Sequence, residues 1–214
     1  MRPATAKQRT DGELTRAHLI DTARKVFQQV GVNGCGLDRI ASQAGVTRGA
    51  VYWHFANKAD LFFAMLEEVR SSLKHLLHAA PGGEEDPLGQ LERRLQAIFQ
   101  RLSHDVAARE VLEILLFRCE YVGPFAAVQA TIRTAQEACI DHLVQCYRAA
   151  RTAGTLRAGL DPEALAVDTL HFVSSLLEQW LADRQLRSPA TINGAIACHL
   201  ALRRAVPEKE HATG

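Results

Sequence analysis

A single glycine, Gly45, separates two short helical patterns and constrains the fold more than any other residue. Before it, apolar residues recur every three or four positions, as they do on one face of a helix; they are Leu37, Ile40, Ala41 and Ala44. Glycine adopts the positive φ that ends a helix without strain, and the Thr47 hydroxyl can cap the N-terminus of a second helix. Residues 37–58 therefore predict a helix, a tight turn and another short helix.

The second of these helices has an apolar side and a polar side. Ala50, Val51 and Phe55 are expected to pack inward, and Trp53 is also expected in the interior. The other side presents a guanidinium, a bare backbone, a phenol and an imidazole, from Arg48, Gly49, Tyr52 and His54. These groups near a helix N-terminus suit a groove lined with phosphates, so the pattern favours DNA binding. The helix pair alone also occurs in other all-α proteins, which leaves a structural role open.

Seven residues are candidate DNA contacts. Arg48 is expected to point outward and form a bidentate contact with guanine, with a phosphate contact as the alternative. Gly49 would let the backbone approach a base edge, unless it serves close helix packing. Thr47 would combine its cap with a phosphate contact. The other candidates are expected to contact phosphates: Tyr52, His54, Lys58 and, as an additional contact, Arg39.

The charge of the chain is unevenly distributed. The formal net charge is +1, but residues 1–60 contain nine Lys or Arg against five Asp or Glu, and the other residues contain 16 against 19. A basic head on a mildly acidic body fits local nucleic-acid contact. No apolar stretch approaches the roughly 20 residues of a membrane span, and the N-terminus has no apolar signal core. A cytoplasmic protein is therefore expected.

Helical periodicity continues along the chain and predicts an all-α fold of about nine helices, with neither strands nor repeats. Residues 1–9 are expected to be a mobile arm, followed by a capping box of Thr10 and Glu13. Four capping or turn motifs are predicted to mark the boundaries of further helices: Asp86-Pro87, Gly123-Pro124, Asp161-Pro162 and Ser188-Pro189. Another helix is predicted over about residues 106–120.

Three regions follow from this pattern. Residues 1–56 are predicted to contain the arm and a three-helix, helix-turn-helix DNA-binding head. Residues 57–207 are predicted to form a second helical domain, and residues 208–214 a disordered tail. The helix from Pro162 is apolar around much of its circumference, which indicates a second buried face against a partner subunit.

The sequence Val-Thr-Arg-Gly-Ala-Val-Tyr-Trp-His-Phe, followed by Asn-Lys-Ala-Asp-Leu-Phe, strongly resembles the N-terminal domain of TetR-family transcriptional repressors. Residues 111–122 and the Trp180 region are similar to the multidrug-efflux repressors of the AcrR and TtgR type. The seven candidate contacts match the DNA-contact positions of the family. One departure is Cys35-Gly36, where relatives usually carry hydroxyl residues that contact phosphate.

The resemblance implies a homodimer that binds double-stranded operator DNA and is released by a small apolar or aromatic inducer, so that a pump operon is expressed. It places the dimer interface on the last two helices, with candidates Leu177, Trp180, Leu181 and Ile196. It makes residues 57–207 a ligand-binding and dimerisation domain. It places a ligand cavity among the fourth to eighth helices, with candidates Arg70, Phe99, Gln136, Cys139, Asp168, His171, Ser174 and Glu178. Arg70 would favour anionic ligands, unless it points to solvent or pairs with Glu67.

Other functions remain open at this stage. His75 and His78 share a helix face but lack a nearby third ligand, and no nucleotide-binding or hydrolase motif is present, so neither an enzyme, a cofactor nor a metal is expected. The five cysteines are odd in number and scattered, which predicts reduced thiols. The alternative is a regulator of the same fold that senses an oxidant through Cys35, whose thiol pKa would be lowered beside a helix N-terminus, or a metabolite such as an acyl-CoA. The other four cysteines are expected in the core.

Overall fold

The computed structural model describes residues 6–78, 86–183 and 188–206. These residues form nine α-helices and one 3-10 turn: α1 Ala6–Val30, α2 Leu37–Gln43, α3 Arg48–His54, α4 Lys58–His78, α5 Pro87–His104, α6 Val106–Phe117, the turn Gly123–Phe125, α7 Ala126–Thr152, α8 Pro162–Ala182 and α9 Pro189–Ala201. The predicted all-α fold is confirmed. The described part contains a single isolated bridge, between Leu156 and Arg204, and none of its helices is long and apolar enough to cross a membrane.

Side-chain caps define most of the predicted helix starts. The carboxylates of Asp86 and Asp161 accept hydrogen bonds from the backbone N–H groups of Gly89 and Ala164, each at 3.0 Å. The Ser188 hydroxyl caps α9 in the same way through Thr191 N–H, at 3.2 Å. Each cap satisfies a backbone donor that the helix itself cannot pair, and the following proline already has helical φ.

Two helix boundaries differ from the prediction. α1 begins at Ala6, so residues 6–9 are helical and Thr10 lies inside the helix instead of capping it. α6 ends at Phe117, three residues before the predicted end, because the chain turns back there: the Tyr121 hydroxyl donates to Leu115 C=O. The rest of the predicted arm, and Pro207 with the predicted tail, lie outside the described residues.

Residues up to 72, together with 105–132, form one compact unit. Its core contains the fully buried rings of Phe27 and Phe62, whose centroids are 6.1 Å apart, and Phe62 also packs edge-on against Phe125 at 5.6 Å. The predicted boundary at residues 56 and 57 follows the motif. The packing boundary instead lies inside α4, because Phe62 and Met65 are buried in this unit.

A second unit comprises the described residues within 73–104 and 133–206. A buried polar chain joins three of its helices: Tyr147 OH lies 2.6 Å from Thr169 Oγ1, which lies 3.0 Å from His199 Nε2. The His199 ring also stacks on Phe172 with centroids 3.9 Å apart. These contacts pair polar groups that would otherwise be costly to bury.

Candidate nucleic-acid interface

The predicted helix-turn-helix is confirmed by its local geometry. Gly45 has a φ of +67°, and Val46 N–H donates to Ala41 C=O at 3.0 Å, which closes the turn after α2. Thr47 Oγ1 accepts from Ala50 N–H at 3.2 Å and caps α3. Val51, fully buried, anchors the inner side of α3, so the opposite side of this short helix is turned outward.

Arg48 and Gly49 occupy the open side of α3. The Arg48 side chain is 68% exposed, and its Nε lies 3.0 Å from Asp38 Oδ1 on α2. Its guanidinium also lies 5.4 Å from the centroid of the Tyr52 ring, which is itself exposed. A Cβ added at Gly49 would meet nothing closer than Thr47 Oγ1 at 3.9 Å. Close helix packing therefore does not explain this glycine, and a flat surface can approach the backbone here.

The two residues that follow Tyr52 differ from each other. Trp53 is 75% exposed, so the prediction of an interior tryptophan is wrong. The Trp53 ring points outward from the short helix α3 and lies over Gly12 of α1, where an added Cβ would be 3.5 Å from the indole. His54 is half-buried beside Trp53, with ring centroids 4.5 Å apart. Burial, aided by the charge of Arg16, holds the pKa of His54 below its ordinary value, so a neutral imidazole is its expected form at neutral pH.

Lys58 has an internal role that the sequence did not indicate. Its ammonium donates to Val32 C=O at 2.7 Å and to Cys35 C=O at 2.8 Å, and it lies 5.5 Å from the centroid of the Phe125 ring. It thereby ties the α1–α2 loop to the start of α4. Arg39 is exposed on α2. The phosphate contacts of both residues stay predictions.

Cys35 does not have the environment of a reactive thiol. It is buried with 3% exposure, and its Sγ–H donates to Gly36 C=O at 3.3 Å. Burial raises the pKa of Cys35 despite the opposing charges of Lys58 and Arg39. The expectation of a lowered thiol pKa is therefore wrong, and peroxide sensing at Cys35 loses its physical basis. The expectation that the other cysteines lie in the core is wrong for Cys198, which is exposed.

The predicted ligand residues do not assemble around one cavity. A small, partly open pocket of about 80 Å³ lies among α5, α7 and α8 of the second unit, and Cys139 is the one predicted residue in its described lining. Phe99 borders a different groove, of about 550 Å³, where it packs edge-on against Trp180. Four others are exposed on their helices: Gln136, His171, Ser174 and Glu178.

Two charged residues of the predicted ligand set form ion pairs instead. Arg70 is exposed and donates to both carboxylate oxygens of Glu67, at 2.7 and 2.8 Å. The solvent-facing alternative for Arg70 is thus the one observed. Asp168 pairs with Arg203. Arg70 thus pairs within its own helix, and Asp168 of α8 pairs with a residue just after the end of α9.

Three of the predicted dimer residues are already buried within their own unit. Trp180 and Leu181 are 5% and 6% exposed, and Ile196 is fully buried; Leu177 is half-buried. Part of the apolar surface of α8 therefore packs inside the protomer, while Val167 of the same helix is 39% exposed. The other residues that α8 and α9 expose are mostly small or polar, and at helical spacing they include Ala164, His171, Ser175, Ala190 and Gly194.

Among the described residues, no three His, Cys, Asp or Glu side chains lie together in a way that could hold a metal ion. The side chains of His75 and His78 are outside this statement, because the structure does not describe them.

The helix-turn-helix with its exposed basic and aromatic face, carried on a chain with a separate helical unit, defines a DNA-binding transcription regulator. The chain belongs to the TetR family of bacterial regulatory proteins, whose family model matches residues 19–65. Residues 86–186 match the C-terminal region of MAATS-type transcriptional repressors.

Individual relatives are similar to this protein over most of the chain. The transcriptional regulator TtgR of Pseudomonas putida is 34% identical, covering 82% of this chain and 84% of its own length. AcrR of Shigella flexneri is also 34% identical, with 82% of both chains covered. The crystal structure of NalD, the secondary repressor of the MexAB-OprM multidrug efflux pump in Pseudomonas aeruginosa, superposes with a TM-score of 0.82 at 30% identity over 92% of this chain and 99% of that one.

Proposed function

We propose that this protein is a cytoplasmic, homodimeric repressor of a multidrug efflux operon and that a small apolar or aromatic ligand releases it from its operator. The DNA-binding part of this proposal rests on the exposed face of α3, which presents Arg48, Gly49 and Tyr52 to solvent. The efflux operon is supported by the relatives, because NalD is described as the repressor of such a pump.

On DNA, α3 would lie in the major groove with its N-terminal residues against the bases. Arg48 would exchange Asp38 for the O6 and N7 atoms of guanine, while Thr47, Tyr52, His54 and Arg39 hold phosphates. Trp53 joins this surface, since an exposed indole beside Tyr52 offers an apolar contact to a thymine methyl group or a sugar. Each protomer would read one half-site of a near-palindrome.

Dimerisation would use the exposed faces of α8 and α9. Small residues such as Ala190 and Gly194 allow two helices to approach closely, and no buried side chain has to leave its own unit. The two-fold symmetry of the dimer would then be matched by the symmetry of the operator.

The test is DNA binding and release by the full-length protein. Operator duplexes are first selected from a random pool, and their sequence is then located in the source genome. We expect a near-palindrome beside genes for an efflux pump, and release of the fluorescent duplex by triclosan, which the relative SmeT is described as binding. Selection of no sequence, or a site beside unrelated genes with no release, would contradict the proposal.

A further inference from the structure

The helix-turn-helix carries one acidic residue among its basic and neutral ones. Between residues 37 and 54, Asp38 is the single acidic residue, and the basic side chains include Arg39 and Arg48. Asp38 lies in the first turn of α2, where the positive end of the helix dipole favours a carboxylate, but its side chain is 65% exposed. Phosphates would repel this charge at a surface that contacts DNA, so the helix dipole alone does not account for its place there.

Asp38 lies beside the side chain that is proposed to read a base. Its Oδ1 is 3.0 Å from Arg48 Nε, and both side chains are exposed. The Arg48 guanidinium also lies 5.4 Å from the centroid of the exposed Tyr52 ring. Successive bases of a DNA strand are about 3.4 Å apart along the helix axis. The separation of Asp38 and Arg48 is close to this spacing, so the two side chains can contact adjacent base pairs.

The two side chains part when Arg48 turns to a guanine. Because their ion pair is exposed on both sides, it is weak, and Arg48 can leave it for the O6 and N7 atoms of the base. The Asp38 carboxylate then loses the guanidinium donor while phosphates are nearby. An ionised carboxylate has acceptor atoms alone, so a donor on a neighbouring base edge would replace the one that it loses.

The major groove offers such a donor on two of the four bases. Cytosine presents its N4 amino group and adenine its N6 amino group, whereas guanine and thymine present acceptors. Adenine also presents the N7 acceptor beside N6, and a carboxylate cannot pair with that atom. Cytosine is therefore the base that suits an aspartate best, while guanine and thymine oppose it.

Resting on the proposed function, we infer that Asp38 is a specificity-determining residue, whose carboxylate accepts a hydrogen bond from N4 of a cytosine in the base pair adjacent to the guanine that Arg48 contacts. Each operator half-site therefore contains this guanine and a cytosine in a neighbouring base pair. The same carboxylate weakens binding to random DNA, because at most other sites it meets acceptors and phosphates. Asp38 thus raises the ratio of specific to non-specific binding.

The experiment selects half-sites from a random duplex pool with the full-length wild type and four variants. These are Asp38→Asn, Asp38→Ala, Arg48→Ala and, as a matched control, Glu67→Gln. Glu67 is also an exposed carboxylate that pairs with an arginine, Arg70 at 2.7 Å, but it lies on α4. The selected bases are read by sequencing. Dissociation constants are then measured by fluorescence anisotropy on duplexes that carry each of the four bases at the position assigned to Asp38, and on a random duplex.

We expect Arg48→Ala to lose the preference for guanine at one base pair, which locates the position of Asp38 beside it. There the wild type should bind the cytosine duplex about tenfold more tightly than the guanine duplex, as expected for a hydrogen bond to a charged group. Asp38→Asn should shift the preference to adenine, because an amide pairs with both N6 and N7. Asp38→Ala should bind the four bases alike, and it serves as the test if Asp38→Asn does not fold. Both should bind random DNA more tightly than the wild type, and Glu67→Gln should match the wild type.

A selected half-site with no cytosine beside that guanine would overturn the inference and leave the proposed function standing. The same holds for Asp38 variants that keep the base preferences of the wild type, since a carboxylate that merely stabilises α2 would change Tm and not the selected base. An Arg48→Ala variant that keeps its guanine would also overturn the inference. Selection of no sequence by the wild type would overturn the proposed function, and the inference with it.

Discussion

Replacing Lys58 with methionine tests whether this residue stabilises the head or serves DNA alone. Methionine keeps most of the apolar stem but removes the ammonium that donates to the carbonyls of Val32 and Cys35 and lies near the Phe125 ring. The Cys35 carbonyl then loses its bond from the ammonium, and the Val32 carbonyl keeps only the longer bond from Cys35 N–H at 3.4 Å. The loop should loosen, and with it the junction between α1 and α4.

The size of the effect follows from these contacts. A hydrogen bond to a charged group contributes about 1.5–3 kcal/mol and a cation–π contact about 0.5–1 kcal/mol. Because Lys58 is half-buried, water can replace part of this, and we expect the free energy of unfolding to fall by about 2–4 kcal/mol. For a chain of this size, that lowers Tm by about 5–15 °C.

Thermal unfolding followed by circular dichroism measures the change, with Arg39→Met as the control. Arg39 is exposed and loses the same charge, so its variant should stay within about 0.5 kcal/mol of the wild type. Binding to operator and to random duplexes is measured below both Tm values. A Lys58→Met protein with an unchanged Tm and weaker binding to all DNA would refute the internal role and support a phosphate contact instead.

Three further predictions concern other parts of the protein. Arg48→Ala should lose about 1–3 kcal/mol on the operator and relax specificity at one base pair, and an equal loss on random DNA would contradict a base contact. Gly194→Arg should give monomers in sedimentation, because the new side chain would lie in the proposed interface, and the monomers should stay folded, because an added Cβ meets nothing within 4 Å in the protomer. Trp180→Arg should instead unfold the chain. A stable dimer from Gly194→Arg would place the interface elsewhere. Burial lowers the folded-state pKa of His199 to about 4, from an ordinary value of 6.5, so its contribution to stability should be present above pH 6.5 and be lost as the pH falls towards 4. His199→Gln should flatten the Tm profile over that window, and an unchanged profile would show that other groups cause the decline.

The local parts of the fold were predictable from the sequence because their causes lie within a few residues. Gly45 takes its positive φ and Thr47 its capping bond through neighbours in the chain. The proline-led helix starts at Asp161 and Ser188 are local in the same sense. The resemblance of residues 46–62 to the TetR family is also carried by consecutive positions.

The side-chain environments were harder to predict because they depend on residues far away in the chain. Trp53 is apolar, yet the orientation of a seven-residue helix exposes it. Cys35 lies beside a helix N-terminus, but burial outweighs the nearby charges and raises its pKa. Arg70 pairs with a carboxylate one turn away on its own helix, while Arg94 of α5 contacts His142, which lies 48 residues further along the chain.

The sequence by itself therefore determined the helix-turn-helix, the positions of most helices and the polar outer side of α3, since hydrophobic period, capping and turn chemistry act over short distances. Tertiary structure alone decided which part of the apolar surface of α8 is covered within the protomer, and that Lys58 ties the α1–α2 loop to the start of α4. Each of these depends on which helices become neighbours, and burial and charge pairing then follow from that neighbourhood.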